Sequence, residues 1–243
     1  MADKELPLSA HFKALRRVIL VSVIAVGLTS LLCFGLWREL LMGWLIAPIQ
    51  AEGQKLIFIG VSEGFIAYFK VSLLAGLVLA SPIVIWQVFS FILPALYKNE
   101  RVLVLTASLV GSLLFLAGLA FGYILVLKSA LGILLYQFGG NFEPQITANY
   151  YLDFVGRFLL PFGLIFEMPL LAWLLAKAGL VKAQSLKKWR RYVVIIILFL
   201  AAVLTPPDVV SQLLLALPML VLYELSNRIC QVVEVRTARK KES

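Results

Sequence analysis

Two carboxylates stand out in this sequence because of what surrounds them. Glu167 lies in Phe162-Gly163-Leu164-Ile165-Phe166-Glu167-Met168-Pro169, near the centre of the run 158–176, which carries no other charge. An acid there costs a few kcal/mol to place in hydrocarbon, so it must be protonated, paired or turned towards a wet cavity. Pro161 and Pro169 bracket it and are expected to bend the helix, freeing carbonyls nearby. The bland alternative is an ordinary interhelical hydrogen bond. Intramembrane acids default to function, so Glu167 is read as a polar docking or conduction site, with Gln212 and Thr205 as companions in one buried cluster. The second acid, Glu100, sits between Lys98 and Arg101, a few residues after Phe91 and Pro94. By residue type alone it is a solvated loop charge. An apolar wall at Phe91 and Pro94 would make it a better acceptor for a guanidinium.

The usual catalytic constellations are missing. The sequence has no GxxxxGK[ST] phosphate loop and no HExxH, and its single histidine, His11, precedes the first apolar run. No span therefore offers a histidine to a serine nucleophile. Cys33 and Cys230 fall in an apolar run and a basic tail, which is no disulfide framework. No enzyme activity, cofactor or metal is expected. A transporter, a channel or a binding scaffold remains.

The elements that must position these residues are membrane spans. Of 243 residues 62% are hydrophobic and 14% charged, against roughly a quarter charged in soluble domains, and the mean hydropathy is +0.97. The uncharged runs 18–37, 71–97 and 102–127, with 158–176, are long enough to cross a hydrocarbon core of roughly 30 Å. The runs 192–207 and 209–223 reach only about 24 and 22 Å. They flank Thr205-Pro206-Pro207-Asp208, a turn signal whose Asp208 can cap the next helix. The expectation is a single all-α membrane domain over 1–243, with six spans near 18–37, 63–90, 102–127, 154–177, 191–205 and 209–225, the last two short.

Six spans put both termini on one side. Taking that side as cytoplasmic places seventeen of the 22 Lys and Arg there, and the positive-inside rule fixes the orientation. The net charge of +9 is absorbed by those loops, with no nucleic-acid partner needed. The first run is a permanent anchor, since no small-residue cleavage site follows it. Outside, residues 39–49 carry Leu40, Leu41, Trp44 and Leu45 at helical spacing, an interfacial helix that Pro48 is expected to end. Ser62-Glu63 reads as the cap of the second span, and Lys70 as a base that snorkels outward. A second long outer loop runs from Lys128 to Asp153 through Gly139-Gly140 and Pro144. Residues 11–17 form a basic amphipathic interfacial segment, which positive-inside anchoring alone explains. No internal repeat supports an inverted-repeat transporter.

Four motifs in order carry a resemblance. They are residues 80–84 (ASPIV), 91–101 (FILPALYKNER), 162–169 (FGLIFEMP) and 204–212 (LTPPDVVSQ). Together they resemble TatC, the multispanning subunit of the twin-arginine protein translocase. The resemblance implies six helices forming a concave cup in a bacterial-type inner membrane, both termini cytoplasmic. It implies a receptor for signal peptides with paired arginines, export of folded proteins driven by the proton-motive force, partners of the TatA and TatB type, and self-association within a complex. By position, Glu100 matches the acid that recognises the arginine pair, and Phe91 its aromatic neighbour. Glu167 matches the intramembrane acid, with Thr205 and Gln212 as polar companions, while Pro48, Asp208 and Arg16 match further positions the family uses. One departure is plain. The family usually has a second acid between the N-terminal histidine and the first arginine, and this chain has Ala14 there, after Lys13. Glu5 or Asp3 are the nearest substitutes. The alternative to this reading is a proton-coupled transporter of a small solute, with Glu167 as the coupling site.

Overall fold

The computed structural model describes residues 8–96, 101–137, 144–204 and 209–242. Glu100, Thr205, Asp208, Gly139-Gly140, Asp3 and Glu5 lie outside them. The first half runs through α1 (Leu8–Leu32), a π-helical segment (Cys33–Trp37), α2 (Arg38–Ala51), β1 (Leu56–Ile57) and α3 (Glu63–Leu96). Next come α4 (Arg101–Phe121), a π-helical stretch (Gly122–Leu127), α5 (Lys128–Gly132) and a third π segment (Ile133–Gln137). The second half holds β2 (Ile146–Thr147), α6 (Ala148–Phe166), α7 (Met168–Lys177), α8 (Ala183–Leu204) and α9 (Val209–Glu242). Helix is what an apolar chain must form in lipid, where every backbone N–H and C=O has to be satisfied within the segment.

Among the described residues five helical stretches are long and apolar enough to cross a membrane: Phe12–Ala51, Glu63–Ile92, Val102–Tyr136, Ala148–Lys177 and Val209–Val235. The helix α8 is not one of them. Its uncharged part, 192–204, reaches about 20 Å. The last helix departs from expectation differently. The apolar run of α9 ends at Glu224, but the helix continues to Glu242 because its polar end has a surface to pack on. Glu234 Oε1 accepts the Ala183 backbone N–H at 2.9 Å, capping the start of α8, and Tyr223 donates to the Leu186 carbonyl at 2.6 Å. Cys230 is buried there with Ala176 and Ala183.

Small residues let the helices touch. A Cβ on Gly76 would lie 2.6 Å from the Ser30 backbone, so α1 and α3 meet main chain to main chain, and the Thr29 hydroxyl donates to the Gly76 carbonyl at 2.7 Å. Gly118 and Gly122, one turn apart, face Phe162 across the α4–α6 contact, and Gly163 returns the fit against Phe115. This is how helices associate in lipid, where hydrophobic burial contributes little and close packing decides. The helix α6 is central: Phe158 and Phe162 are fully buried with Leu215, Ala216 and Met219 of α9 and Ala201 of α8.

The outer connections are joined to one another. Strands β1 and β2 pair in parallel, Leu56 opposite Ile146 and Ile57 opposite Thr147. Against expectation, Pro48 does not end its helix. The end comes after Ala51, where Gly53 adopts φ 75° and the Gln54 N–H returns to the Ile49 carbonyl, a glycine-terminated C-cap. Proline removes only the hydrogen bond to the carbonyl four residues back, here Trp44. The Tyr123 hydroxyl supplies the missing donor to that Trp44 oxygen. Tyr151 donates to the neighbouring Leu45 carbonyl at 2.8 Å and Tyr136 to Glu52 at 3.3 Å. Ile49, beside Pro48, is fully buried against Val71, Leu127 and Leu152.

Candidate functional site

Glu167 occupies the break between α6 and α7. The helix α6 continues through Pro161, and the interruption falls at Glu167. The Glu167 N–H reaches Leu164 at 3.2 Å in a tightened turn, and its carbonyl accepts the Leu171 N–H at 2.9 Å, starting α7 with Pro169 in its first turn. Proline at that place lacks an N–H that the new helix would not use. The side chain is 8% exposed. Neither carboxylate oxygen has a hydrogen-bond partner among the described residues. A buried polar group in that state carries its full desolvation cost, about 1–3 kcal/mol.

The carboxylate faces a cavity of about 310 Å³ between α3, α4, α6 and α7. Its walls include Ser81, Ile85 and Phe89 of α3, Phe115 of α4, and Leu164 and Leu171. Gly111 of α4 makes room for the acid: a Cβ there would sit 3.0 Å from Glu167 Oε2 and 2.9 Å from the Phe89 ring. The residue-80 motif and the residue-162 motif thus meet at one place. The Ser81 hydroxyl turns away to the Val78 carbonyl at 2.7 Å, and Glu167 is the only charged residue in the wall. A polar solute would find little to bind there, which argues against the small-solute transporter.

Gln212 does not join Glu167. Gln212 donates its amide to the Leu198 carbonyl of α8 at 3.0 Å, and α8 and α9 contribute nothing to the wall of the Glu167 cavity. Thr205 falls outside the described residues. At the charged end of the helices Phe91 is half-buried near the end of α3, and Arg16 is exposed on α1. Glu100, which the resemblance joins to them, also lies outside the described residues, as does Asp208. Lys70 pairs with Asp153 at 2.6 Å and ties α3 to α6.

Sequence reasoning missed the tyrosines that hold α2 and the Gly111 notch. Pro48 was a signal for the first, since a freed carbonyl needs a donor. Nothing in the residue order names Tyr123, 75 positions on, as its source.

Fold and site together define a multi-pass, all-helical membrane protein with one acid buried beside an apolar cavity. The profile of the family described as Sec-independent protein translocase protein (TatC) matches residues 10–218. The Sec-independent protein translocase protein TatC of Carboxydothermus hydrogenoformans is 41% identical over 236 residues, 96% of each chain. Its counterpart in Helicobacter pylori strain J99 is 39% identical over 93% of this chain and 89% of its own. A crystal structure described as the twin arginine translocase receptor TatC superposes with a TM-score of 0.85 at 32% identity, covering 92% of this chain and 99% of the other. The chain belongs to the TatC family of Sec-independent protein translocase proteins.

Proposed function

We propose that this protein is the signal-peptide receptor and core subunit of a twin-arginine translocase in a bacterial-type inner membrane. In this reading it crosses the bilayer six times with both termini cytoplasmic, α8 making the short fifth crossing. Glu100, with Phe91 beside it and Arg16 on the neighbouring helix, receives the arginine pair of a signal peptide. Glu167 receives a polar group from a TatA- or TatB-type single-span helix that enters between α3 and α6. Pro48 and Asp208 shape the outer side, and the proton-motive force drives export of the folded cargo.

What supports the partner site is the unpartnered Glu167 carboxyl beside an apolar cavity: a helix bringing one hydrogen-bond donor would relieve its desolvation and fill hydrocarbon space at once. What supports the receptor role is the full-length similarity to a protein described as a twin arginine translocase receptor. The testing measurement is affinity for a twin-arginine signal peptide and for its lysine-pair variant, in nanodiscs at fixed salt. Arginine offers a planar fork to a carboxylate where lysine offers a point charge, so the arginine peptide should bind more tightly. Equal affinities would reject the receptor reading.

A further inference from the structure

The charged end of α8 carries Lys187, Lys188, Arg190 and Arg191 around an open cleft floored by Val194 and Ile195. Arg190 is committed to Glu224 of α9 at 3.4 Å. Arg191 donates to the Tyr192 hydroxyl at 2.9 Å and lies 4.8 Å from that ring. Among the described residues neither Lys187, Lys188 nor Arg191 has an acid within ion-pair distance.

What distinguishes this cluster from scattered anchoring charge is its place on the helix. Lys188, Arg191, Ile195, Phe199 and Val203 follow one another at three- and four-residue steps, and Tyr192 lies four residues after Lys188 and three before Ile195, so they share one face. All are exposed. The apolar part, 192–203, runs about 17 Å along the axis, close to the depth of one leaflet, half of a core of roughly 30 Å. Exposed Trp189 and Tyr192 sit where the cations meet the apolar stripe, as aromatic residues do at headgroup level.

We propose that this face of α8 is a binding site for an anionic phospholipid, its phosphate held by Lys188 and Arg191 and an acyl chain lying along Ile195, Phe199 and Val203. Cation and stripe follow the order of a lipid's own chemistry, charge above hydrocarbon, and the shortness of α8 brings its cations down to the headgroups. This site lies on the outer face of α8, away from the Glu167 cavity, and stands whether or not Glu167 receives a partner.

The test is native mass spectrometry of the full chain in detergent, titrated with phosphatidylglycerol and, separately, phosphatidylcholine at one ionic strength. The unaltered protein should retain phosphatidylglycerol in preference. Removing a surface cation costs about fivefold in affinity, so Lys188→Gln with Arg191→Gln should weaken phosphatidylglycerol roughly thirtyfold and leave phosphatidylcholine unchanged. The swap Lys188→Arg with Arg191→Lys keeps the charge and should restore binding. Phe199→Ser should weaken phosphatidylglycerol several-fold with both cations intact. Thermal melts identify any variant that fails to fold, and the charge-preserving swap and Phe199→Ser then carry the test. Unchanged phosphatidylglycerol affinity in the double Gln variant, equal retention of the two lipids, or indifference to Phe199→Ser would each overturn the site.

Discussion

Replacing Glu167 by methionine should make the protein more stable and less able to associate. Methionine has the reach of glutamate, is unbranched, and carries no group that needs a hydrogen bond. Its thioether would lie beside Gly111, where the carboxylate now sits. The substitution therefore conserves volume at a site that is 8% exposed, and such swaps cost little in packing. It removes two acceptor oxygens that have no partner among the described residues. Relief of one buried unsatisfied group is about 1–3 kcal/mol. For a chain of this size each kcal/mol moves the midpoint by roughly 2–4 °C, so a rise of about 4–8 °C is expected for relief near the middle of that range. The assay is thermal unfolding of both proteins in one detergent at one scan rate, since membrane-protein melts are rate-dependent. Co-purification with a TatB-type single-span partner, measured in parallel, should fall. Glutamine keeps a polar end and should lie between. A lower melting temperature for Glu167→Met would mean that the carboxyl has a stabilising partner within the fold, and the docking argument would fail.

Tyr123→Phe should cost about 0.5–1.5 kcal/mol by removing the donor to the exposed Trp44 carbonyl, and Pro48→Ala, which restores the N–H to that carbonyl, should recover much of the loss; a double-mutant cycle in melting temperature that adds without coupling would refute the clamp. Gly118→Val should force α4 from α6 and lower the melting temperature or yield of folded protein sharply, because even a Cβ there would sit 2.9 Å from the Phe162 carbonyl carbon and closer still to its oxygen; Gly27→Ala, which meets nothing within 4 Å, should be neutral or mildly stabilising. Glu100→Gln should lose most of the preference for an arginine-pair over a lysine-pair signal peptide, about ten- to a hundredfold, and Glu100→Asp only part of it, as read by the same peptide affinities. Lys70→Ala should change stability by about 1 kcal/mol at most, since its pair with Asp153 is partly exposed; a larger fall in melting temperature would assign it a buried role.

The membrane class, the helical content and the residues worth watching were legible because each depends on composition or on short-range order. An apolar run declares its solvent, and an acid inside one declares itself unusual, without reference to any other part of the chain. Glu167 was marked this way. Helix ends were less legible. Pro48 has the residue type of a terminator, yet the helix ends after Ala51 with Gly53 as its stop, because a proline in the last turn loses one hydrogen bond and a neighbouring tyrosine can replace it. The continuation of α9 past Glu224 was hidden for a related reason: its polar end is held by contacts to residues 181–190, which no local pattern announces.

By itself, then, the order of residues determined that this chain lives in a bilayer as helices, that it resembles TatC, and that Glu167 is an acid in an apolar setting. Only the tertiary structure decided that residues 80–89 of α3 supply a wall of its cavity, that Gly111 opens the space for its carboxylate, and that Gln212 turns to Leu198 instead of joining it. The physical reason is the way helices pack in lipid. Which face meets which neighbour is set by close van der Waals fit at small residues such as Gly76, Gly118 and Gly163. That fit depends on two surfaces at once, and residue order along either one carries half of it.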